Sequence, residues 1–255
     1  MSRVPEYEMI AGLYDYLMRH VDYQRWFDYL DRILSARFPH GGRLLEIACG
    51  TGIMLEKLSR AGWQAFGMDK SERMLEIARD RLESFDHEAL LFAGDMRNFC
   101  LREQVDVVLC LYDSINYCLD EAELAATFRN VAAALRPGGL FIFDVVTRRN
   151  CRYHFYEFYE RDTANGLDYI RKAYFDYATS VQTNSFIVCQ SDNPDERFEE
   201  EHHQKIYRLQ TLKKILQSGT GLGLVGVYDG FSRRPGNERS NRVHFIAEKN
   251  ENHSL

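Results

Sequence analysis

The sequence predicts an α/β fold, a doubly wound, mostly parallel seven-stranded sheet with a small antiparallel sheet added to it. Three observations carry the prediction. Between residues 43 and 145, short apolar runs alternate with amphipathic stretches of about 10–15 residues, the pattern of parallel strands joined by crossover helices. The first run ends in a glycine-rich corner, Cys49 to Gly52, from which a helical stretch departs at once. After residue 146, tyrosine and phenylalanine crowd together and strand-like runs replace the helical period. Residues 146–208 therefore read as an antiparallel insertion in a main domain formed by 1–145 and 209–248.

Residues 1–38 read as helical. Met9, Leu13, Tyr16 and Leu17 recur at helical spacing, and Trp26, Phe27, Leu30, Ile33 and Leu34 share one side of a second stretch. Pro39 to Gly42 stops the helix, and Leu44, Leu45 and Ile47 form the first strand. Gly50 and Gly52 let the backbone approach a ligand, because no Cβ intervenes. A dinucleotide fingerprint would place a small residue where Leu55 stands. The pattern present is instead an acid with glycines four and six residues later: Glu46, Gly50, Gly52. It resembles the first motif of class I S-adenosylmethionine-dependent methyltransferases, acid-x-Gly-x-Gly-x-Gly, with Ala48 replacing the first glycine, a small-for-small exchange compatible with a tight turn. The resemblance implies a Rossmann-like methyltransferase fold, S-adenosylmethionine as cofactor and S-adenosylhomocysteine as product, with Glu46, Ala48, Gly50 and Gly52 around it. Tyr14 to Met18, YDYLM, followed by VDYQRW, resembles the helical lid before the first strand in small-molecule members. Tyr14 is thus a candidate cofactor contact or a core aromatic; Trp26 reads as core.

The second strand, Trp63 to Met68, ends in Asp69, about 20 residues past the glycines and placed to accept hydrogen bonds from both ribose hydroxyls, a device shared with nicotinamide enzymes. Ser71 caps the next helix, with Glu72 in its first turn and Met74, Leu75 and Ala78 turned inward. The family implies that Lys70 and Met74 border the adenosine. A third strand, Ala89 to Ala93, ends in Gly94-Asp95-Met96, a Gly-Asp pair that recurs at this place in the family. Asp95 can accept from the adenine amino group, and Met96 offers an apolar, polarizable contact to the ring. The fourth strand, Val105 to Leu111, is nearly all apolar, as expected of a strand covered on both faces. The resemblance implies that backbone near Leu111 meets the methionine end of the cofactor. Tyr117, just beyond that strand tip, is placed to face the acceptor, and the Asn/Asp-Pro-Pro-aromatic stretch common in base-methylating enzymes is missing here. An amphipathic helix, Asp120 to Leu135, precedes Arg136-Pro137-Gly138-Gly139, a further family hallmark that reads as a sharp turn into a fifth strand, Leu140 to Val145.

In the insertion, Tyr169 to Tyr177, Val181 to Cys189 and Phe198 to Leu209 read as antiparallel strands covering the open face of the cofactor site. The last resembles the corresponding segment of small-molecule methyltransferases, including those that methylate amino sugars. In a strand, Glu200, His202 and Gln204 share one face and Glu201, His203 and Lys205 the other, so the two histidines point apart and no metal site is expected. The chain closes with an amphipathic helix, Leu209 to Gln217, a glycine-rich connection through Gly226, strands around Val227 and over Val243 to Ala247, and a frayed tail from 249 to 255. Arg242 reads as a surface charge within reach of the sheet's carboxyl edge.

Apolar residues at 45% and charged residues at 27% suit a soluble globular domain, and a net charge of −6 leaves no electrostatic footprint for nucleic acid or an anionic membrane. Cys49, Cys100, Cys110, Cys118, Cys151 and Cys189 form no C-x-x-C pair and read as reduced thiols. The charged N-terminal stretch is unlike a signal peptide, and no run approaches the ~18 apolar residues of a membrane span. The expected protein is cytoplasmic, takes a small-molecule methyl acceptor, an amine or a hydroxyl, and binds neither nucleic acid nor membrane; no oligomeric state is specified. Methyl transfer from a sulfonium is an in-line displacement in which alignment and water exclusion carry much of the catalysis. A base is needed only where the acceptor holds a proton, and His202, Tyr117 and His154 are the candidates. The competing readings are a nicotinamide oxidoreductase, disfavoured by Leu55, a non-catalytic S-adenosylmethionine-binding protein, and an RNA methyltransferase.

Overall fold

The computed structural model describes residues 2–84 and 90–250. A short strand β1 (Ser2–Arg3), α1 (Tyr14–Leu17) and α2 (Tyr23–Arg37) lead into β2 (Arg43–Ile47), α3 (Ile53–Arg60), β3 (Gln64–Asp69) and α4 (Glu72–Glu83). There follow β4 (Leu90–Ala93), β5 (Val105–Cys110), α5 (Glu121–Ala134), β6 (Leu135–Val146) and α6 (Arg148–His154). The chain ends with β7 (Glu157–Ala164), β8 (Leu167–Asp176), β9 (Val181–Gln190), β10 (Asn193–Lys205), α7 (Leu209–Gln217), β11 (Leu222–Asp229) and β12 (Arg242–Lys249).

The main sheet has the order β11-β12-β6-β5-β2-β3-β4, and only β12 runs against its neighbours. β2 pairs with β3 on one side and with β5 on the other, so the winding direction reverses there and leaves a crevice beyond the strands' carboxyl ends. Alternate side chains face opposite layers. Leu45, Val108, Phe141 and Phe143 pack with α5 and α7, while Leu44, Val107, Leu109 and Ile142 pack with α2 and α3. Four of the described helices begin on side-chain caps: Asp22 accepts from Arg25 N at 2.9 Å, Ser71 from Met74 N at 3.2 Å, Asp120 from Glu123 N at 2.8 Å, and Thr147 from Asn150 N at 3.4 Å.

The second sheet has the order β1-β10-β9-β8-β7, with β1 parallel to β10 and the rest antiparallel. Tyr169, Phe186 and Val188 on its inner face pack against Ile10, Leu13 and Leu17, and Phe175 packs against Val146, Cys151 and Ile206. Between those two apolar clusters the inner face is polar: Glu200, His202 and Gln204 of β10 are buried there as alternation requires, beside Asn184.

Several elements depart from the sequence reading, each for a local reason. Residues 2–9 are not helical, because β1 joins β10 and the Glu200 carboxylate takes the backbone N–H groups of Tyr7, Met9 and Ile10. Arg136 to Gly139 is not a separate turn: β6 starts directly at Leu135, and a register shift against β5 absorbs the left-handed Gly138, at φ +75°. The insertion contains α6 and β7, neither expected, and β10 stops at Lys205 rather than Leu209. β11 begins at Leu222, so Gly223 and Gly226 lie within a strand, with a register shift at Gly226. Lys249 is not tail: it is buried in β12 and donates to Leu135 O at 2.7 Å. Ala89 and residues 251–255 lie outside the described residues.

Arg242 is not a free surface charge. Its Nη2 reaches Asp113 Oδ1 at 2.7 Å and its Nη1 pairs with the fully buried Asp144 of β6. Asp144 also accepts from Asp113 N at 3.0 Å, and Gln204 of β10 donates to Asp113 at 2.7 Å. One guanidinium thus joins both sheets. Arg242→Met should lower the unfolding free energy by about 3–5 kcal/mol in urea titration, because two buried carboxylates lose their cation, and adding Asp144→Asn should recover part of the loss.

Candidate active site

The carboxyl end of β2 turns through three left-handed residues, Ala48 (φ +55°), Gly50 (φ +55°) and Gly52 (φ +76°). The two glycines serve different ends. A Cβ on Gly52 would lie 3.1 Å from Ala78 Cβ, so its role is close packing of the corner on α4. A Cβ on Gly50 would meet only Tyr14, at 3.9 Å, and would otherwise protrude into an open cavity. Asp69, at the end of β3, accepts from Gly50 N at 2.8 Å and Ser71 N at 2.9 Å, which ties the two strand tips together. The corner is also held from outside: Asp15 of α1 accepts from Thr51 Oγ1 at 2.6 Å and pairs with Arg81, whose Nε donates to Thr51 O at 2.8 Å.

The cavity has a volume of about 800 Å³. Tyr14, Ala48, Gly50, Asp69, Lys70, Met74, Asp95 and Met96 line it, as does Tyr117. Asp95 is gripped by Arg97, whose Nε and Nη2 reach its two oxygens at 2.9 and 2.5 Å, and this pairing holds its carboxyl below the usual range. Glu46, Gly52 and Leu111 do not line the cavity. Leu111 O already accepts from Ser114 Oγ at 2.7 Å. Glu46 lies beneath the corner, 2% exposed, with Oε2 making no hydrogen bond among the described residues. Burial first, and then the charge on Asp69, push its carboxyl up to about 8. The Tyr112 hydroxyl is another buried polar atom without a partner among the described residues.

At one wall a hydrogen-bonded chain runs inward. Tyr7 OH lies 2.5 Å from Tyr117 OH, Tyr117 OH lies 3.1 Å from His202 Nδ1, and His202 Nε2 lies 2.8 Å from Glu200 Oε1. Glu200, fully buried, also accepts from three backbone N–H groups. The polarity is therefore determined: the carboxylate takes Nε2–H, leaving Nδ1 as the acceptor of Tyr117 O–H, and Tyr117 in turn accepts from Tyr7. Burial raises both phenols well above their ordinary range, so they stay protonated at neutral pH. His202, 2% exposed, sits behind Tyr117 rather than on the cavity, and its neighbour His203 borders the cavity instead. His154 is exposed at the end of α6 and is not brought to the site. The sequence reading missed Tyr7, Arg97, Tyr112 and Glu200; only Glu200, two residues from His202 on one strand face, carried a legible signal.

The methyltransferase-domain family matches residues 44–139. YqeM of Bacillus subtilis (strain 168), a putative methyltransferase, is 30% identical over 246 residues, spanning 95% of this chain and 97% of its own length. The chain belongs to the class I S-adenosylmethionine-dependent methyltransferases. This methyltransferase is also 35% identical over 136 residues to the dTDP-3-amino-3,4,6-trideoxy-alpha-D-glucopyranose N,N-dimethyltransferase of Streptomyces venezuelae, across 52% of this chain and 56% of that one. A crystal structure of an S-adenosylmethionine-dependent methyltransferase from Clostridium acetobutylicum shares the fold, with a TM-score of 0.81 and 24% identity over 96% of this chain and 99% of that one.

Two outcomes test the corner of this methyltransferase. Ala48→Gly should raise the unfolding free energy by about 0.5–1 kcal/mol in urea titration. Relief of about 1–2 kcal/mol of left-handed strain exceeds the added freedom of glycine in the unfolded chain, about 0.5–1 kcal/mol. Glu46 binds its proton up to about pH 8 when folded but only to about 4.5 when unfolded, so the folded state holds more protons between those values. Stability of the ligand-free enzyme from this group therefore falls as pH rises from 4.5 to 8 and then levels. The stability of Glu46→Gln relative to wild type should rise across that window and be constant above it, in unfolding curves measured at successive pH values.

Proposed function

We propose that the cavity holds S-adenosylmethionine and that the enzyme passes its methyl group to a small-molecule amine or hydroxyl, the Tyr117–His202 pair taking up the acceptor's proton. When bound, the cofactor supplies an electrophilic sulfonium methyl for in-line displacement. The residues present fit it. Asp69 has lone pairs left for ribose hydroxyls beyond the two backbone N–H groups it accepts. Asp95, held ionised, can accept from an amino group of the base, with Met96 and Met74 as apolar contacts and Lys70 at the rim. Tyr14, Ala48 and Gly50 border the same space, and Gly52 sets the corner's approach to α4. The orphaned Glu46 Oε2, together with the unpartnered Tyr112 hydroxyl, suits a cationic ammonium. An ammonium would return Glu46 to its ionised form and cancel the burial penalty.

The observation that carries the catalytic reading is the chain from Tyr7 through Tyr117 and His202 to Glu200. Tyr117 borders the cavity, and its hydroxyl can accept a proton from an attacking nucleophile while its own proton passes to His202 Nδ1. The buried Glu200 carboxylate then stabilises the imidazolium. His202 thus positions and poises Tyr117 rather than touching the acceptor. A protonated amine gains most from such a relay, since it must lose a proton to become nucleophilic, and the Streptomyces venezuelae relative named above, an amino-sugar N,N-dimethyltransferase, supports that choice. In this reading residues 146–208 cover the site, with His203 on the cavity and His202 behind Tyr117, and the main domain of 1–145 and 209–248 carries the cofactor residues.

Thermal unfolding with S-adenosylmethionine, S-adenosylhomocysteine and NAD in parallel should show a rise with the first two alone, lost in Gly50→Val. With an amine acceptor found by screening, Tyr117→Phe should lower kcat by about 10²-fold. His202→Gln should lower kcat with KM little changed and reduce the solvent isotope effect on kcat, a change that a packing role for the imidazole would not produce. Unchanged kcat and isotope effect in both variants would remove the relay from the mechanism.

A further inference from the structure

The polar gap on the inner face of the second sheet contains a second group with unspent chemistry, Arg171 of β8. Its guanidinium lies over three aromatic rings, Phe158 at 5.2 Å, Phe186 at 5.6 Å and Phe155 at 5.8 Å. Its single protein hydrogen bond among the described residues runs from Nη2 to Asn184 Oδ1 at 3.0 Å, and its buried Nε has no partner. No carboxylate among the described residues forms an ion pair with it. Glu160, its partner across the strands, instead accepts from Tyr169 OH at 3.1 Å. A guanidinium in this state is unusual, since buried arginines are normally paired.

Its location ties it to the relay. Asn184 is the register partner of His202, and Phe186 that of Glu200. His202 lies 5.6 Å from the Phe186 ring on which Arg171 also rests, so imidazole and guanidinium flank one aromatic side chain. His202 is in turn bonded to Tyr117, which borders the cavity, so Arg171 is linked to the cavity wall through Phe186 and His202.

We infer that Arg171 is an anchor for an anionic group on the methyl acceptor, a carboxylate or a phosphate, while the half-buried Phe155 and Phe158 receive the acceptor's apolar body and the buried Phe186 supports the guanidinium. A planar fork of donors with open valences matches a two-oxygen anion in geometry, and a partly dry aromatic setting strengthens the charge-assisted bonds that result. Asn184 fixes the fork, so little side-chain entropy remains to be lost on binding. Anchored there, the acceptor presents its nucleophile toward Tyr117. The inference rests on the methyl-transfer reading and narrows it to acidic acceptors.

The test uses the complete enzyme saturated with S-adenosylhomocysteine, with benzoate, phenyl phosphate and neutral benzamide as probes at millimolar concentration, followed by thermal shift and calorimetry. Benzoate or phenyl phosphate should bind and benzamide should not, and the better of the two anions identifies which group the acceptor carries. Arg171→Met should weaken the anion roughly tenfold or more, and Arg171→Lys should recover only part, because it restores charge without the fork. Both variants should keep the wild-type shift with S-adenosylhomocysteine, which shows that they are folded and the cofactor site intact. Equal anion binding by wild type and Arg171→Met, or no anion binding by wild type despite a normal S-adenosylhomocysteine shift, would overturn the anchor and leave the methyltransferase reading standing. Absence of that shift in wild type would overturn both.

Discussion

The buried carboxylate of Glu200 is the interaction on which the arrangement of this methyltransferase depends. It lies on an inner strand of the second sheet, yet it accepts from the backbone of Tyr7, Met9 and Ile10 and from His202 Nε2. A carboxylate removed from water is tolerated only where its lone pairs are filled, and charge-assisted bonds of this kind contribute about 1.5–3 kcal/mol each. Filling them forces residues 7–10 to run along the sheet instead of forming a helix. The same contact places Tyr7 against Tyr117, decides which imidazole nitrogen carries the proton, and positions α1 so that Asp15 can hold Thr51 and Arg81 at the glycine corner. One buried carboxylate thereby couples the second sheet, the N-terminal segment and the glycine corner.

The corner itself is costly in the free protein. Ala48 is held at a positive φ, Glu46 keeps a proton it would lose in water, and the Tyr112 hydroxyl is buried without a partner. The two polar penalties are of a kind that a ligand with a cationic head can offset, whereas the backbone strain at Ala48 is steric and stays with the fold. The Arg242 clamp is the opposite case. There the cation is supplied by the chain and pairs with both carboxylates, and Asp113, held by it, also accepts from Gln204 of the second sheet.

Most of the main sheet was legible because its signals are local. Apolar runs, the cap at Ser71, and the acid-plus-glycine spacing at Glu46, Gly50 and Gly52 act within a few residues of one another. Asp69, Lys70, Met74, Asp95 and Met96 fell on the cavity wall because each closes or follows a strand whose end was readable. The reading failed where pairing is distant: β1 is two residues long and exists only because β10 accepts it, and Gly223 and Gly226 are strand residues only because β12 lies beside them. Arg242 looked like a surface charge because its partners, Asp113 and Asp144, are 129 and 98 residues away.

By itself, the sequence determined the alternation of strands and helices, the position of the glycine corner, and the strand period that turns Glu200, His202 and Gln204 inward together. Periodicity and turn chemistry are short-range and survive in one dimension. Only the tertiary structure decided that Tyr117 meets His202 across 85 residues, that Glu46 keeps its proton, and that Arg171 has no counter-ion among the described residues. Those properties depend on burial and on which distant groups share one enclosed space, and neither exists until the two sheets have packed.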